Sequence, residues 1–216
     1  MTQPPQRHEL NIVSDVVCPW CYIAKKQLAQ AFEITGTASQ FTVTWRPFEL
    51  NPDMPIEGVD RITYRTQKFG SWERSLALDA NVAAAGKRIG ISFRHDLMMR
   101  TPNSFQAHRL ILLAGHDGVQ NAVVDALFQA YFIEGRDVGS AAVLAEIATQ
   151  AGLDGERAAK FLGSNVGADE IRQQEQSAYN AEISGVPTFI LNGEVIFSGA
   201  VGAEAMAVYL RKAVTG

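Results

Sequence analysis

Cysteine is scarce in this chain: there are two in 216 residues, and both fall in Cys18-Pro19-Trp20-Cys21. A disulfide across so short a loop would constrain little of the unfolded chain, so a structural staple explains the pair poorly. Histidine is scarce as well. A zinc site needs about four ligands, and only His8, His95, His108 and His116 are available to join the cysteines, none at paired spacing. No apolar run reaches the ~18 residues that would suggest a membrane span. The opening Met1-Thr2-Gln3-Pro4-Pro5-Gln6-Arg7-His8-Glu9 has no apolar signal core, which sets the expectation of a cytoplasmic protein. Basic charge is not in excess: 19 Lys and Arg stand against 23 Asp and Glu, a net of −4. That balance argues against nucleic-acid or anionic-membrane partners. Repeats and low-complexity segments are absent.

What is present is enough for a globular enzyme. With 47% hydrophobic and 19% charged residues, the chain can bury a full core as one domain or as one domain with an insertion. The two cysteines then read as a chemical pair. Leu10 to Ser14 forms a short strand with Leu10 and Ile12 on one face, and Tyr22 to Phe32 forms a helix with Ile23, Leu28 and Ala31 on one side. The pair therefore sits at a strand-to-helix junction. Pro19 suits the first helical turn, where its missing N–H costs nothing. The free N–H groups and dipole of a helix N-terminus favour an anion. A Cys18 thiolate is expected there, with its pKa drawn from about 8.5 towards the roughly 3.5–7.5 range of such motifs. Cys21, one turn inward, is suited to resolve a mixed disulfide. In a cytosolic setting, where thiols are kept reduced, a catalytic dithiol is favoured over a bridge.

A second motif is Gly185-Val186-Pro187-Thr188-Phe189-Ile190-Leu191-Asn192-Gly193. Phe189 to Leu191 reads as a buried strand, Asn192-Gly193 as a hairpin turn and Val195 to Phe197 as the returning strand. Pro187 stands at the strand entrance, where the lack of a donor is tolerated. Sequence pattern alone fits either peptide isomer there.

A CxxC after the first strand and a Gly-Val-Pro-Thr-Phe run near the other end resemble the thioredoxin superfamily. The blocks Ser14 to Ile23, Trp45 to Pro55, Asn103 with Ala107 to Leu110, and Phe197 to Ala200 narrow the resemblance to the FrnE-like branch of the DsbA family. DsbA itself has His where this chain has Trp20, and the family often ends the last block with Gln where this chain has Val201. The resemblance implies a dithiol–disulfide oxidoreductase or isomerase, with Cys18 as nucleophile and Cys21 as resolving thiol. It implies that Val186-Pro187 is cis and faces the dithiol, and that the Val186 backbone pairs with substrate like an added strand. Pro19, Trp20, Val186 and Pro187 are therefore the expected substrate contacts. No metal and no cofactor beyond the redox-active cysteines is expected, with glutathione a candidate co-substrate. The partner would be a thiol- or disulfide-containing protein or small molecule.

The expected fold class is α/β: a thioredoxin fold with an inserted all-helical subdomain. Residues 1–58 form its first part, 59–166 the helical insertion and 167–216 its second part. Phe41, Val43 and Trp45 alternate with polar neighbours as a strand. Helices are expected over 121–133, after caps at Ser140 and Asp154, over 168–183 and over 203–213. Substrate would lie between the two parts, in a cleft lined by Trp20, Phe48, Met54 and the Thr101–Arg109 segment. Asn103 reads as a helix cap. His108 reads either as a satisfied core residue or as a proton carrier for Cys21. Two other function classes fit the layout. One is a glutathione-dependent isomerase or transferase, of the 2-hydroxychromene-2-carboxylate isomerase or kappa-class type. These usually have Ser at the position of Cys18 and no partner thiol. The other is a non-catalytic thioredoxin-like binding module or chaperone, which would not require both thiols.

Overall fold

The computed structural model describes residues 7–215; Met1 to Gln6, most of the N-terminal run discussed above, and Gly216 lie outside them. Strand β1 (His8–Ser14) runs into helix α1 (Pro19–Thr35), which ends on Gly36 in the left-handed region (φ 68°). β2 (Phe41–Pro47) returns parallel to β1, pairing Ile12 with Trp45. Between β2 and the last strands lie β3 (Val59–Asp60), α2 (Arg61–Phe69), α3 (Trp72–Lys87), β4 (Arg100–Thr101), α4 (Phe105–His116), α5 (Gln120–Phe132), α6 (Ala141–Gln150), α7 (Gly155–Leu162) and α8 (Ala168–Asn180). The chain closes with β5 (Thr188–Leu191), β6 (Glu194–Ser198) and α9 (Ala203–Thr215).

The main sheet has the order β2-β1-β5-β6, with β5 antiparallel to both neighbours. Alternation along β1 sorts its side chains between two faces. Leu10 and Ile12 join Ile23, Ala24 and Leu28 of α1, Phe189 of β5 and Met206, Ala207 and Leu210 of α9. Val13 faces the other way, into a small cluster with Phe48, Ala178 of α8 and Ile183. The sheet is thus covered on both sides, the arrangement a largely apolar central strand requires. The turn from β5 to β6 uses Asn192 (φ 49°) and Gly193 (φ 90°), the left-handed pair that a two-residue hairpin demands.

The helical stretch continues the same apolar core, Phe128 of α5 packing on Tyr22 of α1 and Trp45 of β2. Val123, Val124, Leu127, Phe128 and Tyr131 of α5 are buried, as are Leu144, Ile147 and Ala148 of α6. Asp154 caps α7 by accepting from the N–H groups of Glu156 and Arg157, whereas Ser140 precedes α6 without a side-chain cap bond. A short antiparallel ribbon, β3 with β4, also lies in this stretch and pairs Val59 with Thr101. Helix α8 stops at Asn180, short of the expected Ile183. Glu182 there turns into the left-handed region (φ 58°), and Ile183 drops into the Val13 cluster. Buried Arg109 of α4 stitches the stretch together. Its guanidinium donates to the carbonyls of Phe161 and Leu162 at the end of α7 and of Val166 beyond it.

Candidate active site

Cys18 is the residue immediately before α1, in extended conformation (φ −91°, ψ 112°), and Pro19 takes the first helical position. The first turn of α1 holds no acidic side chain, so nothing else there competes for the positive end of the helix. Cys18 is 4% exposed and Cys21 fully buried, and both are free thiols. Burial, and then the neighbouring Cys18, push the Cys21 thiol well above its ordinary pKa. The pair is therefore asymmetric: one sulfur lies at a helix end and the other inside it. Trp20 between them is 41% exposed.

The distant motif arrives at the same place. The Val186-Pro187 peptide is cis, and the Cys18 thiol donates to the Val186 carbonyl across 3.7 Å. Pro187 is buried and Val186 half-buried. The Thr188 hydroxyl donates to the Gly185 carbonyl, and the Gly199 N–H donates to that of Pro187. The loop is thus held at both flanks while Val186 stays beside the sulfur.

The strand-to-helix turn is tied down by Asp15. Its carbonyl accepts from the Cys18 N–H at 3.1 Å. Its buried carboxylate accepts from Val17 N–H at 3.2 Å and from Leu50 N–H at 2.8 Å. His108 of α4 lies against this carboxylate, with Nε2 3.5 Å from Oδ1. That is near enough for an ion pair but not aligned as a hydrogen bond. The ionic neighbours of His108 are Asp15, Glu175 and Glu49; the structure sets its imidazole among carboxylates. Asn103 stands one residue before Ser104, which precedes α4 and makes no side-chain cap bond; the Asn103 Oδ1 accepts from Phe105 N–H and its amide donates to the Met54 carbonyl.

The expected cleft is assembled only in part. Met54, Asn103, Phe105, Gln106 and Arg109 line a cavity of about 620 Å³ that Glu49 and Arg172 also border. Trp20 is not among its walls. Phe48 is also absent from them, because it is packed against Tyr179 and the Val13 cluster. The residues that sequence reasoning passed over are Asp15, Glu49 and Glu175. For Asp15 and Glu49 the signal was an acid set in apolar surroundings, in Ser14-Asp15-Val16-Val17 and Pro47-Phe48-Glu49-Leu50; Glu175, among Gln173, Gln174 and Gln176, had none.

Residues 9–211 match the DSBA-like thioredoxin domain. The chain belongs to this family. Its similarity to the probable DsbA oxidoreductase SCO1869 of Streptomyces coelicolor is 32% identity at a TM-score of 0.87, covering 96% of this chain and 90% of that one. Protein YwbO of Bacillus subtilis is 28% identical over 90% of this chain and 92% of its own. A 2-hydroxychromene-2-carboxylate isomerase shares the fold at 17% identity and a TM-score of 0.72, over 95% and 96% of the two chains. The fold of this DSBA-like member is thus common to both chemistries, and the choice between them rests on the site. Among the described residues, no helix is long and apolar enough to cross a membrane.

Proposed function

We propose that this DsbA-family protein exchanges disulfides with a thiol- or disulfide-containing substrate, using Cys18 as nucleophile and Cys21 as resolving thiol. The observation that carries the reading is the asymmetry of the pair. Cys18 occupies the helix end beside the Val186 carbonyl, and Cys21 is buried one turn inward with its proton held tightly. In the reducing direction the Cys18 thiolate attacks one substrate sulfur, forming a Cys18–substrate disulfide and expelling the other sulfur as a thiolate, which takes up a proton. Cys21 then gives up its proton and attacks the Cys18 sulfur. This closes the Cys18–Cys21 disulfide and releases the second substrate thiol, so two electrons have passed to the substrate. The same steps in reverse oxidise a dithiol. An extended substrate would pair with the Val186 backbone, with Trp20, Pro19 and Pro187 around it.

The test compares two variants in disulfide reduction and in refolding of a reduced protein. Cys18→Ser should abolish both activities. Cys21→Ser should accumulate mixed disulfides through Cys18, separable on a non-reducing gel. Faster alkylation of Cys21 than of Cys18 at mildly acidic pH would reverse the assignment of roles. Retained turnover in Cys18→Ser would remove the thiol mechanism altogether and leave the isomerase chemistry.

A further inference from the structure

Four ionisable side chains from four separate segments meet beneath the nucleophile's turn. Asp15 comes from the β1–α1 turn, Glu49 from the loop after β2, His108 from α4 and Glu175 from α8, and all four are buried. Glu49 Oε1, Glu175 Oε1 and His108 Nε2 have no hydrogen-bond partner. Buried polar atoms without partners cost free energy and call for an explanation. Three carboxylates around one imidazolium would leave a net charge of −2 in a poorly solvated space. Among the described residues the other cation acting on both glutamates is Arg172 of α8, which is exposed, contacts Asp169 at 3.3 Å and lies over the Phe105 ring. Tyr179 of α8 also faces these acids, its ionisation opposed by burial first and then by Glu175, Glu49 and Asp15; Tyr131 of α5 is opposed by burial first, with the cations Arg61 and Arg65 acting against that and Asp15 with it. Among the described residues no such group has metal-ligand geometry. Protons are the remaining means of relieving the charge. Burial first, and then Glu175, raise the Glu49 carboxyl to about 7; burial first, opposed by the His108 cation and aided by Asp15, raises Glu175 above the usual carboxylate range.

The cluster connects directly to Cys18. Asp15 is the member that grips the Val17 and Leu50 N–H groups, and its own carbonyl holds the Cys18 N–H. We propose that Asp15, Glu49, His108 and Glu175 act as one proton-sharing positioning unit, whose proton count sets the reactivity of Cys18 through the Asp15 turn. This rests on Cys18 being the nucleophile. When Glu49 and Glu175 lose their protons, negative charge gathers behind Asp15 and opposes a thiolate at Cys18. Thiolate formation is then spread over a wider pH range than a lone cysteine would show.

The test measures the alkylation rate of Cys18 between about pH 5 and about pH 9, where thiolates of this kind form, in wild type, Glu49→Gln and Glu175→Gln. Adducts are located by peptide mapping. The wild-type profile should be broader than a single ionisation. Each variant should sharpen it and raise the rate above about pH 7 by up to about 3-fold, the most that half a pKa unit in the thiolate allows. Carboxyl carbon NMR of the unmutated protein provides a readout that needs no variant: the two glutamates should titrate as a coupled pair above the ordinary range. Variant profiles that superpose on the wild type, at whatever stability, overturn the proposal; so do two ordinary, independent glutamate titrations. A Cys18 that is inert at every pH overturns the nucleophile assignment as well.

Discussion

Replacing Glu49 by Gln should make the protein more stable in alkaline solution, the opposite of what removing a buried charge partner usually does. In the folded chain the Glu49 carboxyl is raised from its ordinary 4.5 to about 7, by burial first and by Glu175 next. The folded state therefore holds this proton at a pH where the unfolded state has released it. The stability linked to it is fully present below about pH 4.5, declines as pH rises and is gone above about pH 7. At about 1.4 kcal/mol per pH unit the carboxylate costs about 3 kcal/mol in alkaline solution. Gln at this position pays no such cost. Part of the gain is offset because Glu49 also supports the His108 cation, whose pKa stays raised through Asp15 first and then Glu175 and Glu49, against the opposing effect of burial. His108 has the same sign: its stabilising effect is present below its ordinary pKa and disappears as pH rises through the raised value. The expected net gain near pH 8.5 is about 1–3 kcal/mol, a measurable share of a total stability of about 5–15 kcal/mol. Urea unfolding at about pH 5 and about pH 8.5 measures it, with unchanged m-values confirming that only stability moved. A variant that is less stable than wild type at the higher pH, or a difference that does not depend on pH, would refute the reasoning.

Arg109→Ala should destabilise the protein by about 2–4 kcal/mol in chemical denaturation, because it leaves the buried Leu162 carbonyl and the partly buried carbonyls of Phe161 and Val166 without their donor. A loss of less than about 1 kcal/mol would mean that water replaces the guanidinium. Gly135→Ala should cost about 2 kcal/mol or more by the same assay. Gly135 sits at φ 69°, and a Cβ there would come within 2.5 Å of both the Leu97 carbonyl oxygen and its Cβ. A neutral effect would show that the α5–α6 connection shifts freely against the Leu97 segment.

Local patterns were readable in the sequence and long-range convergence was not. The period-two run of β2, the Asn192-Gly193 turn and the Cys18–Cys21 junction each depend on neighbours within a few residues, so composition and spacing expose them. The β3–β4 ribbon joins two-residue strands through Val59 and Thr101, too short for any periodicity to register. Phe48 reads as a packing residue more readily than as a cleft wall, but what it packs on is open until α8 is placed on its side of the sheet and brings Tyr179 against it. The acid cluster was hidden for the same reason. Glu175 lies on a helix whose other acids face solvent, and nothing local marks it as the one carboxyl that turns inward to meet Glu49 and His108. The Val186–Cys18 meeting was anticipated through the family motif, since spacing along the chain carries no information about it.

The sheet register explains why that meeting is fixed. β1 and β5 pair antiparallel with Val13 opposite Thr188 and Ile12 opposite Phe189. Cys18 lies a short turn beyond Val13, and Val186 lies two residues before Thr188. The distance between the sulfur and the Val186 carbonyl is therefore set by one ladder and two short, pinned segments: the Asp15 turn on one side and the Thr188–Gly185 bond on the other. Slipping the ladder by one residue would turn Phe189 out of the main core and Ile12 away from α1, since side chains alternate between faces. Burial of those two side chains thus enforces the register, and the register places Val186 beside Cys18. On this account a core substitution at Phe189 acts on the site through geometry, whereas substitutions at Glu49 or Glu175 act on it through charge.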